Sequence, residues 1–361
     1  MNGTAPWIHT IRQGIHEPDD LIPWLDADIQ TLRSVTGRYP MRINGYFFRV
    51  MQSGGLPLIR QMLPHPLEMQ GGGMEDPLAE ERDSPVPCVT HRYPDRVLFV
   101  VTRECAVYCR FCTRKRIVGR GGPVSDEEIQ NGIDYIRSRT EIRDVLVSGG
   151  DPLMLADERM EWILSLIRAV PHVEIIRVGT RMPVVLPQRI SPELIDVLKR
   201  FRPVYIMTHF NHPMEFTDES VFACEVLADA GIPVANQTVL LRGVNDDAPT
   251  MELLVRRLLR HRIRPYYIHQ ADYTQGTDHF RTKISTGISI IKALRGRVSG
   301  LAMPYYVLDL PGGGGKIPLV PGYRDSASGR FVNYRGECFD YPEPAGEMPP
   351  AWPEPPFIKR N

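Results

Sequence analysis

The chain runs to 361 residues, 42% of them hydrophobic, and its 43 basic side chains balance 43 acidic ones. That apolar share supports a sizeable core, and the length suits one large barrel-type domain as well as two smaller ones. The charge balance argues against a general nucleic-acid or membrane-surface binder, both of which carry a basic excess. The opening stretch MNGTAPWIHT lacks the basic-then-apolar pattern of a signal peptide, and no apolar run approaches the ~20 residues of a membrane span. The expected location is therefore the cytoplasm, where thiols stay reduced.

Residues 1–95 read as a helical extension. Ile22, Leu25, Ile29 and Leu32 recur at helical spacing, which predicts one helix over about 20–35 with Pro40 beyond its end. A shorter apolar segment follows at Tyr46–Met51; then Pro57, Pro64, Pro66 and the run Gly71–Gly73 break the pattern. Arg92 and Arg96 lie four apart at the entrance of the first strong strand, where they suit either a phosphate cradle or a solvated surface pair.

From residue 97 strands and helices alternate. Strands are predicted at Val97–Thr102, Asp144–Ser148, Val173–Gly179, Val204–Thr208, Val234–Leu240, Pro265–His269 and Tyr305–Leu308. Helices are predicted at 125–139, opened by the capping box Ser125–Glu128, and near 157–169, then from Ser191-Pro192, and near 217–230, 250–261 and 283–294. Such alternation implies parallel strands with right-handed crossovers. Six or seven units fall short of a closed eight-stranded barrel, so the expected fold is α/β, a partial barrel of the (β/α)6 type, with a doubly wound open sheet as the alternative. The expected divisions are the extension over 1–95, the barrel over 96–310, and a lysine loop with a short proline-rich tail over 311–361. Seven prolines between Pro342 and Pro356 forbid regular helix or central strand in that tail.

Catalytic groups of parallel barrels gather at the carboxyl ends of strands. After the first strand come Cys105, Cys109 and Cys112, spaced so that one loop can turn three sulfurs inward. Structural zinc takes four protein ligands and ordinary iron–sulfur clusters use four cysteines. Three thiolates on a cube leave one iron open for a ligand that is not protein. The competing readings are a zinc knuckle with a distant fourth ligand, and a disulfide, against which the lack of any secretion signal counts. After the second strand come Ser148, Gly149, Gly150 and Asp151, whose glycines admit a ligand close to the backbone. After the fourth comes Thr208-His-Phe-Asn-His212, and Asn236-Gln237 offers uncharged hydrogen-bonding groups on the fifth. Asp309-Leu-Pro is followed by four glycines and Lys316. This is not a phosphate-binding P-loop, because the glycine and hydroxyl positions of that motif are Leu310 and Ile317 here. A lysine in a tight, partly desolvated site is a nucleophile toward aldehydes, and pyridoxal 5′-phosphate would use both Lys316 and the Arg92/Arg96 pair. A flexible glycine loop with an exposed lysine is the bland alternative. Two further carboxylates at strand ends, Asp272 and Asp309, would together suit a ligand with a long cationic side chain, since an unpaired buried charge is costly; either one alone reads more simply as a loop cap.

The CxxxCxxC loop, with Phe111 before its last cysteine, resembles the cluster loop of the radical S-adenosylmethionine (SAM) enzymes. Joined to Thr113-Arg-Lys-Arg, SGGDP, THFNHP, LRGVND, DHFRT and PGGGGK in that order, it resembles the lysine 2,3-aminomutase family over roughly residues 76–325. The resemblance implies a 1,2-shift of an amino group on a Schiff base with pyridoxal 5′-phosphate, started by a deoxyadenosyl radical from SAM that is later regenerated. It implies a [4Fe–4S] cluster on Cys105, Cys109 and Cys112, and SAM against Phe111, Ser148, Gly149, Gly150, Asp151 and His209. Pyridoxal 5′-phosphate falls to Lys316, Arg92, Arg96 and Gln237, the substrate carboxylate to Arg114, and the substrate ammonium to Asp272 and Asp309. The implied substrate is free L-lysine, with arginine, ornithine or a protein lysyl residue as alternatives, and an electron donor such as flavodoxin or ferredoxin is implied. A non-catalytic iron–sulfur or zinc protein is the alternative of another class. Many members also bind structural zinc through C-terminal cysteines and one directly after GVND. Here that position is Asp247 and only Cys338 follows Lys316, so no structural zinc is expected, and a homo-oligomer would be built without it.

Overall fold

A computed structural model describes residues 6–24 and 28–341, so the reading of the proline-rich stretch 342–361 lies outside the described residues. Residues up to Val320 make one compact unit and residues from Pro321 a second. The first is built on a nine-stranded sheet whose strands follow sequence order: β1 (Val89–Tyr93), β2 (Arg96–Thr102), β3 (Asp144–Gly149), β4 (Ile175–Gly179), β5 (Val204–Thr208), β6 (Val234–Leu240), β7 (Ile263–Gln270), β8 (Tyr305–Leu310) and β9 (Gly315–Pro318). Strands β2 to β8 are parallel throughout, while β1 and β9 run antiparallel at the two edges. The six parallel crossovers carry the helices Asp126–Ser138, Asp157–Arg168, Pro192–Arg200, Asp218–Asp229, Ala248–Arg260 and Ile284–Leu294. This is the partial (β/α)6 barrel expected. The edge strands approach without pairing: the Tyr93 hydroxyl of β1 accepts from Lys316 N of β9 at 2.8 Å.

The helices begin where their caps dictate. Ser125 Oγ accepts from Glu128 N at 3.1 Å and Glu128 Oε2 accepts from Ser125 N at 2.8 Å, which satisfies two orphan donors at once. Ser191 accepts from Leu194 N, with proline in the first turn behind it. Asp247, directly after GVND, is the N-cap of Ala248–Arg260 and accepts from Thr250 N at 2.8 Å. Val97, Phe99 and Val101 alternate into a core completed by Ile129, Ile133 and Ile136 of the first crossover helix.

The extension differs from the expectation at its start. A short 3-10 turn occupies Pro18–Leu21, and the helix proper is Ile29–Arg38, capped by Asp28. Pro23 lacks the N–H that a helix over 20–35 would need. Tyr46–Met51 belongs to a full helix, Gly45–Gly54, opened by the side chain of the buried Asn44. The sheet also begins inside 1–95, since β1 covers Val89–Tyr93. In the second unit, Phe331–Val332 and Cys338–Phe339 form a two-stranded antiparallel pair.

A buried charge cluster ties the extension to the loop after β2. Glu68 accepts from Arg110 Nη2 at 2.6 Å and from Lys115 Nζ at 2.7 Å, with side-chain exposures of 0%, 1% and 6% respectively. Arg110 also donates to the carbonyls of Tyr39 and Pro40. Burial alone would raise the Glu68 carboxyl, but the two cations hold it below the usual carboxylate range. Glu68→Ala leaves both cations buried and unpaired, and is expected to cost about 3–5 kcal/mol. Urea unfolding of the variant checks this, and a midpoint equal to that of the wild type would remove the anchoring role.

Candidate active site

β2 delivers the thiol loop. Backbone bonds of 2.8 Å from Tyr108 N to Arg42 O and from Arg110 N to Gln61 O hold it to the extension. Arg181, just past β4, donates from Nη1 to Cys109 Sγ at 2.7 Å, and its Nη2 reaches Gln61 Oε1 and Glu215 Oε1, both at 2.7 Å. Burial, and next the Asp151 carboxylate, push the Cys105 thiol well up; burial and then Cys109 push Cys112 up. Among the described residues, no group of three or more His, Cys, Asp or Glu side chains is arranged around a single metal ion. Three thiols on one loop, one of them facing the Arg181 cation, make the donor set for three corners of a [4Fe–4S] cube.

The end of β3 presses against the root of this loop. Gly149 has φ 135°, and a Cβ there would overlap the Thr102 carbonyl oxygen; a Cβ on Gly150 would overlap that of Glu104. Glycine is therefore obligatory for the chain to pass so close. Asp151 is turned toward the end of β4. Its Oδ1 accepts from Thr180 Oγ1 at 2.7 Å and its Oδ2 from Arg181 N at 2.7 Å, so it braces the residue that holds Cys109. Phe111 stacks on His209 with ring centroids 5.5 Å apart. Burial, and then Arg181, push the His209 imidazole far down, so it is neutral, and its Nε2 has no partner among the described residues.

The lysine wall is made by β6 to β9. The antiparallel pairing of β8 with β9 sets Lys316 opposite Asp309. Lys316 Nζ donates to Asp309 Oδ2 and lies 3.2 Å from His269 Nδ1. His269 Nε2 lies 3.0 Å from Gln237 Oε1. Burial works to raise the Asp309 carboxyl, yet the His269 hydrogen bond and the Lys316 charge hold it at about 2. Asp272 has the opposite fate. Burial, reinforced by the Asp309 charge, pushes its carboxyl up to about 7, and its Oδ1 is buried with no partner among the described residues.

A single cavity of about 800 Å³ brings the two walls together. Every residue to which the resemblance assigns a role lines it: the three cysteines, Phe111, Ser148 to Asp151, His209, Arg92, Arg96, Gln237, Lys316, Arg114, Asp272 and Asp309; His212 and Asn236 do not, since His212 caps a 3-10 turn and Asn236 bonds Phe210 and Thr238. Several already have protein partners. Arg92 donates to Asp83 Oδ2 at 3.0 Å and to the Leu78 carbonyl. Arg96 pairs with Asp95 at 3.0 Å and lies over the Tyr93 ring. Arg114 is gripped by Glu80 at 2.6 Å, and its Nη1 lies 3.2 Å from the Gly149 carbonyl. Sequence reasoning did not nominate Arg181, His269, Glu80 or Tyr93. The rule of strand ends could have found the first two, which lie at the carboxyl ends of β4 and β7. Glu80 carries no local signal, since only the fold sets it beside Arg114.

Residues 99–254 match the family model described as the Radical SAM superfamily, and residues 291–352 the one described as Lysine-2,3-aminomutase. Fold and thiol loop therefore define a radical SAM enzyme, a class that implies a [4Fe–4S] cluster and SAM. The chain is 46% identical over 354 residues to the L-lysine 2,3-aminomutase of Clostridium subterminale, which covers 95% of this chain and 85% of that one. It is 50% identical over 316 residues to the L-lysine 2,3-aminomutase of Methanococcus maripaludis, covering 85% and 73%. To the glutamate 2,3-aminomutase of Clostridioides difficile it is 45% identical over 308 residues, covering 84% and 73%. The chain belongs to the lysine 2,3-aminomutase family, a group of isomerases. Among the described residues no helix is long and apolar enough to cross a membrane.

Asp272 gives the site a pH signature. Its folded value of about 7 lies above the ordinary 3.8, so the folded chain binds the proton more tightly than the unfolded one. The stability this contributes is present below pH 4 and lost as pH rises through 7. Asp272→Asn is therefore expected to be more stable than wild type at pH 8 by up to about 4 kcal/mol, with no difference near pH 4. Unfolding in denaturant at the two pH values, without substrate, reads it; an equal offset at both would show that Asp272 is not a buried acid.

Proposed function

We propose that the protein is an L-lysine 2,3-aminomutase, interconverting L-lysine and β-lysine with pyridoxal 5′-phosphate attached at Lys316. The observation that carries this reading is the shared cavity, in which a three-thiol loop, a lysine beside a neutral histidine and a partnerless buried carboxyl line one space. When bound, the cluster and SAM supply a carbon-centred radical that abstracts hydrogen, and the pyridoxal ring supplies a carbonyl that holds the migrating nitrogen. The chain's own residues do the rest. Cys105, Cys109 and Cys112 hold the cluster, with the Arg181 cation set against Cys109. Phe111, His209 and the glycine turn at Ser148 to Asp151 form the SAM side of the cavity. Arg92 spends two of its five guanidinium donors on Asp83 and Leu78, leaving N–H groups for a phosphate that Arg96 and Gln237 help to hold. Arg114 serves the substrate carboxylate.

Overall identity does not separate lysine from glutamate as substrate, because relatives named for each are matched at similar levels. Charge separates them. Asp272 is buried without a partner beside a second carboxylate, Asp309. A cationic side chain relieves that cost, whereas a glutamate carboxylate would add a third negative charge. An electron donor such as flavodoxin or ferredoxin, a homo-oligomeric state and a cytoplasmic location complete the proposal.

Anaerobic incubation with L-lysine, cluster, SAM and pyridoxal 5′-phosphate, read by product mass spectrometry, tests the activity; absence of β-lysine while another amino acid is isomerised would overturn the substrate. Lys316→Ala is expected to lose borohydride-trappable pyridoxal. Cys109→Ala is expected to retain it while losing SAM cleavage, and turnover by that variant would discard the cluster assignment. Asp272→Ala is expected to weaken lysine binding on the order of 100-fold and to affect an uncharged analogue far less. Equal losses for both ligands would remove its role.

A further inference from the structure

Lys316 is the one amine lining the cavity among the described residues, and the imidazole of His269 lies in direct reach of it. His269 sits at the carboxyl end of β7, with Nε2 3.0 Å from Gln237 Oε1. An amide oxygen only accepts, so Nε2 carries the hydrogen and the neutral ring presents its lone pair at Nδ1. That Nδ1 lies 3.2 Å from Lys316 Nζ and 3.4 Å from Asp309 Oδ2. The same nitrogen can thus accept from the lysine in one protonation state and donate to the aspartate in the other. Burial is the strongest influence on the ring and lowers its pKa against the pull of Asp309. The other groups facing it are Tyr267, whose ring meets it edge-on at 5.4 Å, and the neutral His209.

We propose that His269 is the catalytic base for Lys316, taking the ε-ammonium proton so that the amine can attack a carbonyl carbon, and returning it when Lys316 leaves. The assignment rests on the reading that Lys316 carries a carbonyl cofactor. In the step itself one Nζ–H bond breaks with its electron pair left on Nζ, one N–H bond forms at His269 Nδ1, and nothing is oxidised or reduced. The new Nδ1–H faces Asp309 Oδ2, so the positive charge moves from lysine to imidazole without leaving its counter-ion. Asp309 touches the same proton but is the poorer base, since, against the effect of burial, the Lys316 charge beside it holds its carboxyl low, away from the range in which proton transfer is efficient. Gln237 acts through His269 as a positioning residue, because its carbonyl fixes the tautomer that leaves Nδ1 free.

The test needs neither cluster nor radical. Pyridoxal 5′-phosphate is added to the full chain stripped of it. The rise of the lysine chromophore is followed in time, and the product is trapped with borohydride and located by peptide mass mapping. His269→Gln, which keeps a hydrogen-bonding side chain without a base, is expected to load Lys316 on the order of 100-fold more slowly with little change in final occupancy. His269→Ala is expected to be slowed similarly and restored by added imidazole, in proportion to its free-base concentration. Wild-type loading rates in both variants, or slow loading that imidazole does not restore, would overturn the assignment. A wild-type chain that attaches pyridoxal nowhere, or at another lysine, overturns the cofactor reading and this assignment with it.

Discussion

Seven strands that run the same way, paired in sequence order, must deliver their carboxyl ends to one rim, and the chemistry of this protein depends on that constraint. The thiol loop leaves β2, the glycine turn leaves β3, Arg181 follows β4 and His209 follows β5. Gln237, His269 and Asp309 come from β6, β7 and β8. A doubly wound sheet would have split these residues between two sides of a switch point. The curl that brings β1 and β9 within a side chain of each other gathers them around one cavity.

Gathering them concentrates charge where water screens it poorly, and the fold answers with specific partners. Arg181 has Glu215, Arg114 has Glu80, Arg92 has Asp83, and Arg116 has Asp76 at 3.1 Å. Three of these four carboxylates come from residues 76–83, a stretch whose backbone also reaches the glycine run, since Gly312 N donates to Pro77 O at 2.9 Å. The segment before the barrel is thus part of the cavity wall. Against this background the partnerless atoms stand out: Asp272 Oδ1 and His209 Nε2 line the cavity and are buried without a hydrogen bond among the described residues. Buried polar atoms are rarely left so, and the substrate and SAM of the proposed function would give these two their partners.

The pairing of Lys316 with Asp309 and His269 holds a reactive amine in reserve. A carboxylate alone would keep the ammonium charged, whereas an imidazole alone would have to carry a buried cation without a counter-ion. Together they let one proton move between two nitrogens beside a fixed negative charge. The antiparallel return of β9 makes this geometry, and the run of glycines makes the return: Gly312, Gly313 and Gly315 all have φ between 68° and 84°, a region open to glycine at little cost.

Much of this was legible in the residues. Strand and helix periodicities are local and are bounded by local turn and cap residues, which is why β5 and β6 fall at the boundaries expected and the six crossover helices lie within a few residues of theirs. The thiol spacing and the lysine after its glycines are local patterns that survive any fold, as are the caps at Ser125 and Ser191. The edge strands were not legible. Val89–Tyr93 is mostly polar, and β9 starts inside the glycine run; each is a strand only because a neighbour offers it hydrogen bonds. Nor were the partners of the charges. The sequence by itself determined the order of the elements and which groups stand at the strand ends, because both follow from local periodicity and turn chemistry. Only the tertiary structure decided that Asp309 faces Lys316, that Glu80 grips Arg114 and that Arg181 braces Cys109, because those contacts join strands and loops whose spacing is set by how the whole sheet curls.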